Sequence, residues 1–356
     1  MNHHASRLFT LAAATLLLVG SGCSISFTTS GNLDGGMFRS EDAGTTWQQA
    51  VAAGTTAKGK AIRIDGVNVN FVTFDPGNIN ALYISTTAGM YFSDKSGASW
   101  TKLGLPAASY GSFAIDPGST SILYAANGGT IYKSIDQGVN WTVVYIESKP
   151  DRAFTTLTVH PSNSSFVYAG TNKGEILLSK DFGNTWQLYA SLDVADPIRI
   201  MMFASGNTTM FILTQSKGLY KSVDSGSTWL SLKATLAKYQ NANNITSLAT
   251  LPNKPDTLYI ASGYGLLMTT DGGASWLPIQ TLVPFSSQAI QLVAVNPDNP
   301  NIIYVIVGNR VRKSIDGGKT WDAKIVVPTS RTLSTLAINY GRTDELFIGT
   351  VKPAKK

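Results

Sequence analysis

The chain has 356 residues, of which 43% are hydrophobic, only 14% are charged and 33 are glycine, with a formal net charge of +6. This composition excludes a disordered chain, which stays unfolded through low apolar content and high charge. Abundant glycine with dispersed aromatics points instead to many short strands joined by tight turns. The single cysteine, Cys23, excludes an internal disulfide and a cysteine-built zinc site.

The N-terminus reads as an export signal: Arg7 supplies the positive region, and Leu8–Val19 is an apolar run too short to cross a bilayer. Val19-Gly20-Ser21-Gly22-Cys23 resembles a bacterial lipobox, with Gly20 where leucine is commoner. The resemblance implies a lipoprotein signal over residues 1–22, lipidation of Cys23 and an exported, membrane-anchored protein. A flexible Ser/Thr/Gly tether is expected to residue 35, ahead of the folded domain at 36–351 and a basic tail at 352–356. No other stretch is apolar for long enough to predict a membrane helix.

Past the tether, Gly36–Arg39 reads as a strand and leads into Ser40-Glu41-Asp42-Ala43-Gly44-Thr45-Thr46-Trp47. The pattern Ser/Thr-x-Asp-x-Gly-x-x-Trp returns as Ser134–Trp141, Ser179–Trp186, Ser222–Trp229, Thr269–Trp276 and Ser314–Trp321. Ser93–Trp100 is a degenerate copy with Lys95 at the Asp position. The tryptophans, Trp47, Trp100, Trp141, Trp186, Trp229, Trp276 and Trp321, recur roughly every 41–53 residues, one four-stranded propeller blade apiece. Before each later motif lies a strand, a turn that commonly holds proline, and a second strand: Phe71–Pro76 into Leu82–Ile84, Leu157–Pro161 into Val167–Ala169, Leu292–Pro297 into Ile303–Val305. Related pairs begin near Phe113, Met201, Leu248 and Leu336. The chain ends on a first and second strand, Leu333–Asn339 and Leu346–Val351, with no motif after them. Paired with the N-terminal strand and motif they complete one blade. The fold expected is all-β: a seven-bladed propeller of four-stranded antiparallel blades whose two chain ends share a blade, leaving no open edge.

The motif's residues suit a tight reversal. Asp and Ser side chains bond to the turn backbone, Gly accepts positive φ, and Trp packs between strands with its N–H on a turn carbonyl. The carboxylates of Asp42, Asp136, Asp181, Asp224, Asp271 and Asp316 are therefore read as structural, neither metal-binding nor catalytic. The pattern resembles the Asp-box, or BNR-repeat, propeller superfamily across essentially all of residues 36–351. That superfamily includes sialidases, xyloglucanase-type glycoside hydrolases, sortilin-type receptors and the photosystem II stability/assembly factors. A single ring behind a lipoprotein signal looks most like the last group, with sortilin-type propellers next.

Chemistry is sparse. His160 is the only histidine beyond the signal and replaces a turn Asp or Asn, so a Ser-His-Asp triad and a multi-histidine metal site are excluded. No phosphate-loop, dinucleotide or EF-hand pattern occurs. A glycosidase needs two convergent carboxylates; Asp65, Glu147, Asp151, Asp193 and Asp196 occupy suitable loops without an evident pair. Tyr110, Tyr239 and Tyr264 could face the channel, but Arg63-Ile64-Asp65 lacks the proline of the sialidase Arg-Ile-Pro signature. Basic residues stand out instead. Arg63, Arg152, Arg199 and Arg331 precede or open first strands, and Lys60 and Lys149 lie in similar loops, where a propeller gathers its inter-blade connections. The reading is a non-catalytic, monomeric binding module with no cofactor or metal, presenting a basic face to a protein or other anionic partner. The alternative is a carbohydrate-active propeller, either a sialidase- or xyloglucanase-like glycosidase or a lectin-like binder. A dense Lys/Arg run, the mark of nucleic-acid binding, is missing.

If Cys23 carries the anchor, Cys23→Ser should leave the protein soluble or retained with its signal uncleaved. Membrane fractionation and intact mass measure this; unmodified mature wild-type protein free in the medium is the opposing result.

Overall fold

The structure is a computed structural model that describes residues 34–55, 61–204, 208–280 and 289–353. Cys23, the expected signal, most of the expected tether and Lys60 lie outside the described residues. No helix among the described residues is long and apolar enough to cross a membrane.

Seven antiparallel blades form the ring. Blade 1 joins Met37–Ser40 and Gln48–Gln49 to Thr332–Asn339 and Arg342–Val351. Blades 2 to 6 follow in simple chain order, with first strands Val69–Phe74, Ser112–Ile115, Phe154–Val159, Ile198–Phe203 and Ile245–Leu251. Blade 7 holds Ile290–Val295, Ile303–Val307 and Arg310–Ser314. Its fourth strand is reduced to one bridge, Lys313 with Asp322. There the Asp322 carboxylate accepts from Lys324 N–H at 2.9 Å, turning the chain out of the ladder. A short hairpin, Ala52–Thr55 with Ala61–Arg63, is an addition the sequence pattern does not announce.

Burial explains the strand types. Second strands such as Leu82–Thr86, Val167–Thr171 and Ile303–Val307 are buried at every position. Blades cover both their faces, so these strands read as continuous apolar runs. Outer strands such as Thr142–Ile146 are largely exposed. The core is accordingly divided among the seams. The cluster around Phe38, Tyr304 and Ile348 fills the gap between blades 7 and 1, and that around Met37, Ile64, Leu82 and Phe347 fills the gap between blades 1 and 2. Each motif tryptophan lies in the seam with the preceding blade, for example Trp47 against blade 7 and Trp321 against blade 6.

Closure is by strand pairing: Met37, Phe38, Arg39 and Ser40 face Gly349, Ile348, Phe347 and Leu346. Beneath it, Arg39 binds the buried Glu345. The 7–1 seam has a further clasp. Tyr304 Oη and Lys313 Nζ both donate to Ala43 O at 3.0 Å, in the motif of blade 1. Tyr124 and Lys133 do the same to Phe182 O between blades 3 and 4, at 2.9 and 2.7 Å.

Truncation after Asn339 tests the closure. It removes Leu346, Phe347 and Ile348, all fully buried, at about 1.5–3 kcal/mol each, against a typical domain stability of about 5–15 kcal/mol. Circular dichroism should show a chain that is unfolded or aggregated; a truncated chain melting at the wild-type temperature would rule out the role given to this strand.

Candidate functional site

In each blade the first-to-second and third-to-fourth turns lie at one end of the ring, the Asp-box end. The second-to-third turns and the blade connections lie at the other, the inter-blade end. At the Asp-box end the motif recurs with one geometry. In blade 4 Ser179 Oγ donates to Asp181 Oδ1 at 2.8 Å and accepts from Gly183 N–H at 2.8 Å. Thr185 donates to the same carboxylate through its N–H at 2.8 Å and its hydroxyl at 2.6 Å, and Trp186 Nε1 donates to Gly183 O at 2.9 Å. The turn holds Phe182 and Gly183 at φ 58° and 81°, a left-handed pair that costs a side-chain-bearing residue about 1–2 kcal/mol. The carboxylate bonds offset that cost.

These bonds need the ionised carboxylate. For Asp181, Asp224 and Asp316 the hydroxyl of the threonine four residues on, then its N–H, lowers the pKa to about 2. For Asp42 the Thr46 N–H comes first, with the same result of about 2. Asp136 and Asp271 are lowered in the same way, through Asn140 N–H and the Ser275 hydroxyl. In the degenerate copy Ser93 still accepts from Gly97 N–H at 2.9 Å, but Trp100 Nε1 donates across the seam to Ala50 O at 2.8 Å. Trp276 likewise departs from the pattern and donates to Thr235 Oγ1 at 3.1 Å.

The basic residues expected at the inter-blade end divide into two kinds. Arg152 is buried, bonded to Glu147 Oε2 at 2.9 Å and Glu175 Oε1 at 2.9 Å. Arg331 is 4% exposed, donating to Val67 O at 3.2 Å, with Asp34 at 4.0 Å. Gly35 lies on its guanidinium so closely that a side chain there would overlap it. Both arginines therefore pin blade connections and stand buried within the basic face the sequence predicts. Glu147 lies only five residues from Arg152, but Glu175 and the Val67 carbonyl come from parts of the chain that no local pattern reveals. Arg63 is exposed and paired with Asp65 at 2.5 Å. Lys149 is exposed. Arg199 is exposed too, donates only to Ile245 O at 3.4 Å, and has no carboxylate partner among the described residues.

Arg199 belongs to a pattern that sequence reasoning missed. In six blades the first strand carries a β-bulge at its second or third residue, and the bulged residue is polar: Asn70, Thr155, Arg199, Thr246, Gln291 and Ser334. Several of them tie adjacent first strands: Thr155 Oγ1 donates to Ile198 O at 2.6 Å, Thr246 Oγ1 to Ile290 O at 2.7 Å, and Ser334 Oγ to Val69 O at 2.8 Å. The legible trace is a polar residue breaking each apolar strand just after its start. Arg199 is the charged member of this otherwise neutral ring.

Most of the candidate carboxylates at this end are engaged. For Glu147, burial opposes ionisation, but Lys149 N–H and the Arg152 guanidinium outweigh it and hold the pKa below the ordinary value. Buried Asp196 accepts from Ser216 N–H at 2.6 Å and Ser216 Oγ at 2.9 Å. Asp151 pairs with Lys173 at 2.9 Å, and Asp193 is exposed. Tyr110 is buried, with its hydroxyl on Pro106 O at 3.0 Å, whereas Tyr239 and Tyr264 pack against each other at a 60° tilt with ring centroids 5.0 Å apart. No group of side chains that could hold a metal occurs among the described residues. His160 is buried in its turn, its Nδ1 facing Ser162 N–H at 3.3 Å. At the opposite end the channel widens into an apolar hollow of about 600 Å³.

No family model matches the chain, and no curated protein matches its sequence. Among solved structures it is similar to the GH74 xyloglucanase from Xanthomonas campestris, at 19% identity and a TM-score of 0.65, over 86% of this chain and 52% of that one. It thus spans about half the length of that enzyme. YCF48 bound to D1 peptide is similar at 15% identity and a TM-score of 0.62, over 85% of this chain and 96% of that one. YCF48 from Cyanidioschyzon merolae gives 14%, 0.61, 80% and 95%. These likenesses establish the seven-bladed fold, shared by both kinds of propeller.

The pH dependence of stability checks the role of the motif carboxylates. Each is more acidic folded than unfolded, where Asp titrates near about 3.9, so its contribution is full above that pH and lost as pH falls towards about 2. Thermal melts should be level from neutral pH down to about 4 and then drop steeply. Asp181→Asn should melt a few degrees lower at neutral pH and show a shallower acid drop; an unchanged acid limb would assign the loss to other groups.

Proposed function

We propose that this protein is a non-catalytic, extracytoplasmic binding propeller, held to a membrane through Cys23, that presents its inter-blade end to an anionic segment of a protein partner. The observation that carries this reading is Arg199, an exposed guanidinium without a carboxylate partner among the described residues, set in a ring of neutral hydrogen-bonding side chains. A guanidinium held on a strand can grip a carboxylate bidentately, which a mobile lysine does less specifically. Lys149 adds exposed positive charge at the same end.

Two further points support binding over hydrolysis. Glycoside hydrolysis needs one carboxyl held protonated and a second free to act at about 5–10 Å. Glu147 and Glu175 are brought together, but around Arg152, and Glu147 is held ionised. In size, the chain matches the YCF48 propellers along nearly their whole length, and one of those is described as bound to D1 peptide.

Arg199→Glu and Arg199→Ala test the site, with binding read by pull-down from membranes of the source organism and stability by thermal melts. Both variants should stay within about 0.5 kcal/mol of wild type, as surface changes do, and lose the partner, Arg199→Glu more completely. Wild-type capture should weaken as salt rises. Arg152→Ala is the contrasting control: stranding two carboxylates around a vacated buried site should cost about 3–5 kcal/mol. Full-strength capture by Arg199→Glu overturns the proposal.

A further inference from the structure

The chain joins the ring at the inter-blade end. The Asp34 carboxylate accepts from Ser330 N–H at 2.6 Å and its carbonyl from Thr329 Oγ1 at 2.6 Å, while Gly36 O accepts from Thr350 N–H at 3.0 Å. Anything attached upstream therefore hangs from this end. The stretch from Cys23 to Asp34 spans at most about 40 Å fully extended.

The same end holds cations that no carboxylate answers. Lys149, Lys217, Lys238, Arg310 and Lys352 are all exposed, and none has an ion-pair partner among the described residues. Lys238 lies over the Tyr239 ring at 5.0 Å, which leaves its charge in place. The paired cations here are Arg63 with Asp65, Arg152 with Glu147 and Glu175, Lys173 with Asp151, and Arg331 with Asp34. Asp196 is buried beneath the N–H groups of Ser216 and Lys217. Against the five free cations stands one exposed, unpaired carboxylate, Asp193. The Asp-box end has no such excess: its lysines stand among the motif carboxylates, and Lys221 and Arg342 are matched with Asp256 and Glu345.

The five cations come from the 3–4 connection, the second-to-third turn of blade 5, the 5–6 connection, the same turn of blade 7, and the end of the second strand of blade 1. They are spread around most of the ring, outside the first strands that carry Arg199 and its neutral neighbours. We infer that the inter-blade end lies against a membrane surface containing anionic phospholipid, with these cations on the headgroup phosphates. A linear acidic segment could meet only one or two cations set so far apart, whereas a plane of anionic headgroups meets them together. Each lysine or arginine at such a surface strengthens attachment roughly fivefold, and a lipid chain with a basic patch holds more firmly than the chain alone. The inference rests on the proposed attachment through Cys23 for its orientation, and it brings the segment that meets Arg199 from the membrane side.

The protein is reconstituted into vesicles of phosphatidylcholine alone or with about one-third phosphatidylglycerol. Both contain a headgroup-nitroxide lipid that quenches dyes near contact. Cys23 is the only native cysteine, so once it is lipidated an added thiol is the single site for a dye. Gln215→Cys labels the inter-blade end and Thr270→Cys the Asp-box end, both at exposed positions. In phosphatidylglycerol vesicles the Gln215→Cys dye should be quenched and the Thr270→Cys dye spared, and the quenching should fall as salt rises. Lys149→Glu combined with Arg310→Glu and Lys352→Glu should reduce it at least about fivefold while the melt stays near wild type. Arg199→Glu should leave it unchanged, so a failed partner assay and a failed membrane contact are told apart. Should intact mass show Cys23 unmodified, the anchor fails by itself. The unlabelled protein should then still co-sediment with phosphatidylglycerol vesicles and not with phosphatidylcholine, and its failure to do so overturns the inference. Equal quenching of the two dyes, equal quenching without phosphatidylglycerol, or full quenching in the triple variant overturns it as well.

Discussion

A ring of blades has no inside until its ends meet. Every second strand is buried on both faces only because another blade lies on each side, so one missing neighbour would expose a whole sheet face to water. The pairing of Met37–Ser40 with Leu346–Gly349 is therefore the contact on which the other six seams depend. Its supports are of different kinds. Backbone ladder bonds set the register, Phe38 and Ile348 supply apolar burial, and the Tyr304–Lys313 clasp on Ala43 O adds a polar tie from blade 7. Ala43 is left-handed, which turns its carbonyl out of the strand ladder and toward the neighbouring blade. The strained turn of the motif thus serves the seam as well as the hairpin.

The repeat was legible because its signals are local. Trp321 follows Ser314 at a fixed distance, and the glycine between them takes positive φ, so a linear pattern suffices to read a blade. The reduced outer strand of blade 7 escapes such reading: its motif is intact, and the break comes from Asp322 capping Lys324 N–H one residue beyond the tryptophan. The hairpin Ala52–Thr55 with Ala61–Arg63 is hidden for a similar reason, since it is an insertion between two regular blades.

The candidate sites were legible in location and less so in composition. Arg63, Arg152, Arg199 and Arg331 all reach the inter-blade end, as the topology requires. Their fates differ because burial is decided by partners from other blades. Arg152 meets Glu175 across the 3–4 connection, Arg331 meets the carbonyls of residues 66 and 67 on the far side of the closure, and Arg199 meets only Ile245 O. A residue's distance from its partner along the chain carries no trace in a local motif. The apolar hollow was equally invisible, because it belongs to five blades at once.

The division of the core among seams also shapes how sequence change is felt. Ile279 and Trp321 sit in one cluster though they come from different blades, while Leu103 lies in another on a separate side of the ring. Changes at the first two share a cavity and should be strongly non-additive, whereas either combined with a change at Leu103 should sum nearly independently. Covariation in such a molecule therefore runs around the ring between neighbours about one repeat apart. A drifting sequence can repair one seam at a time without disturbing the seam across the channel.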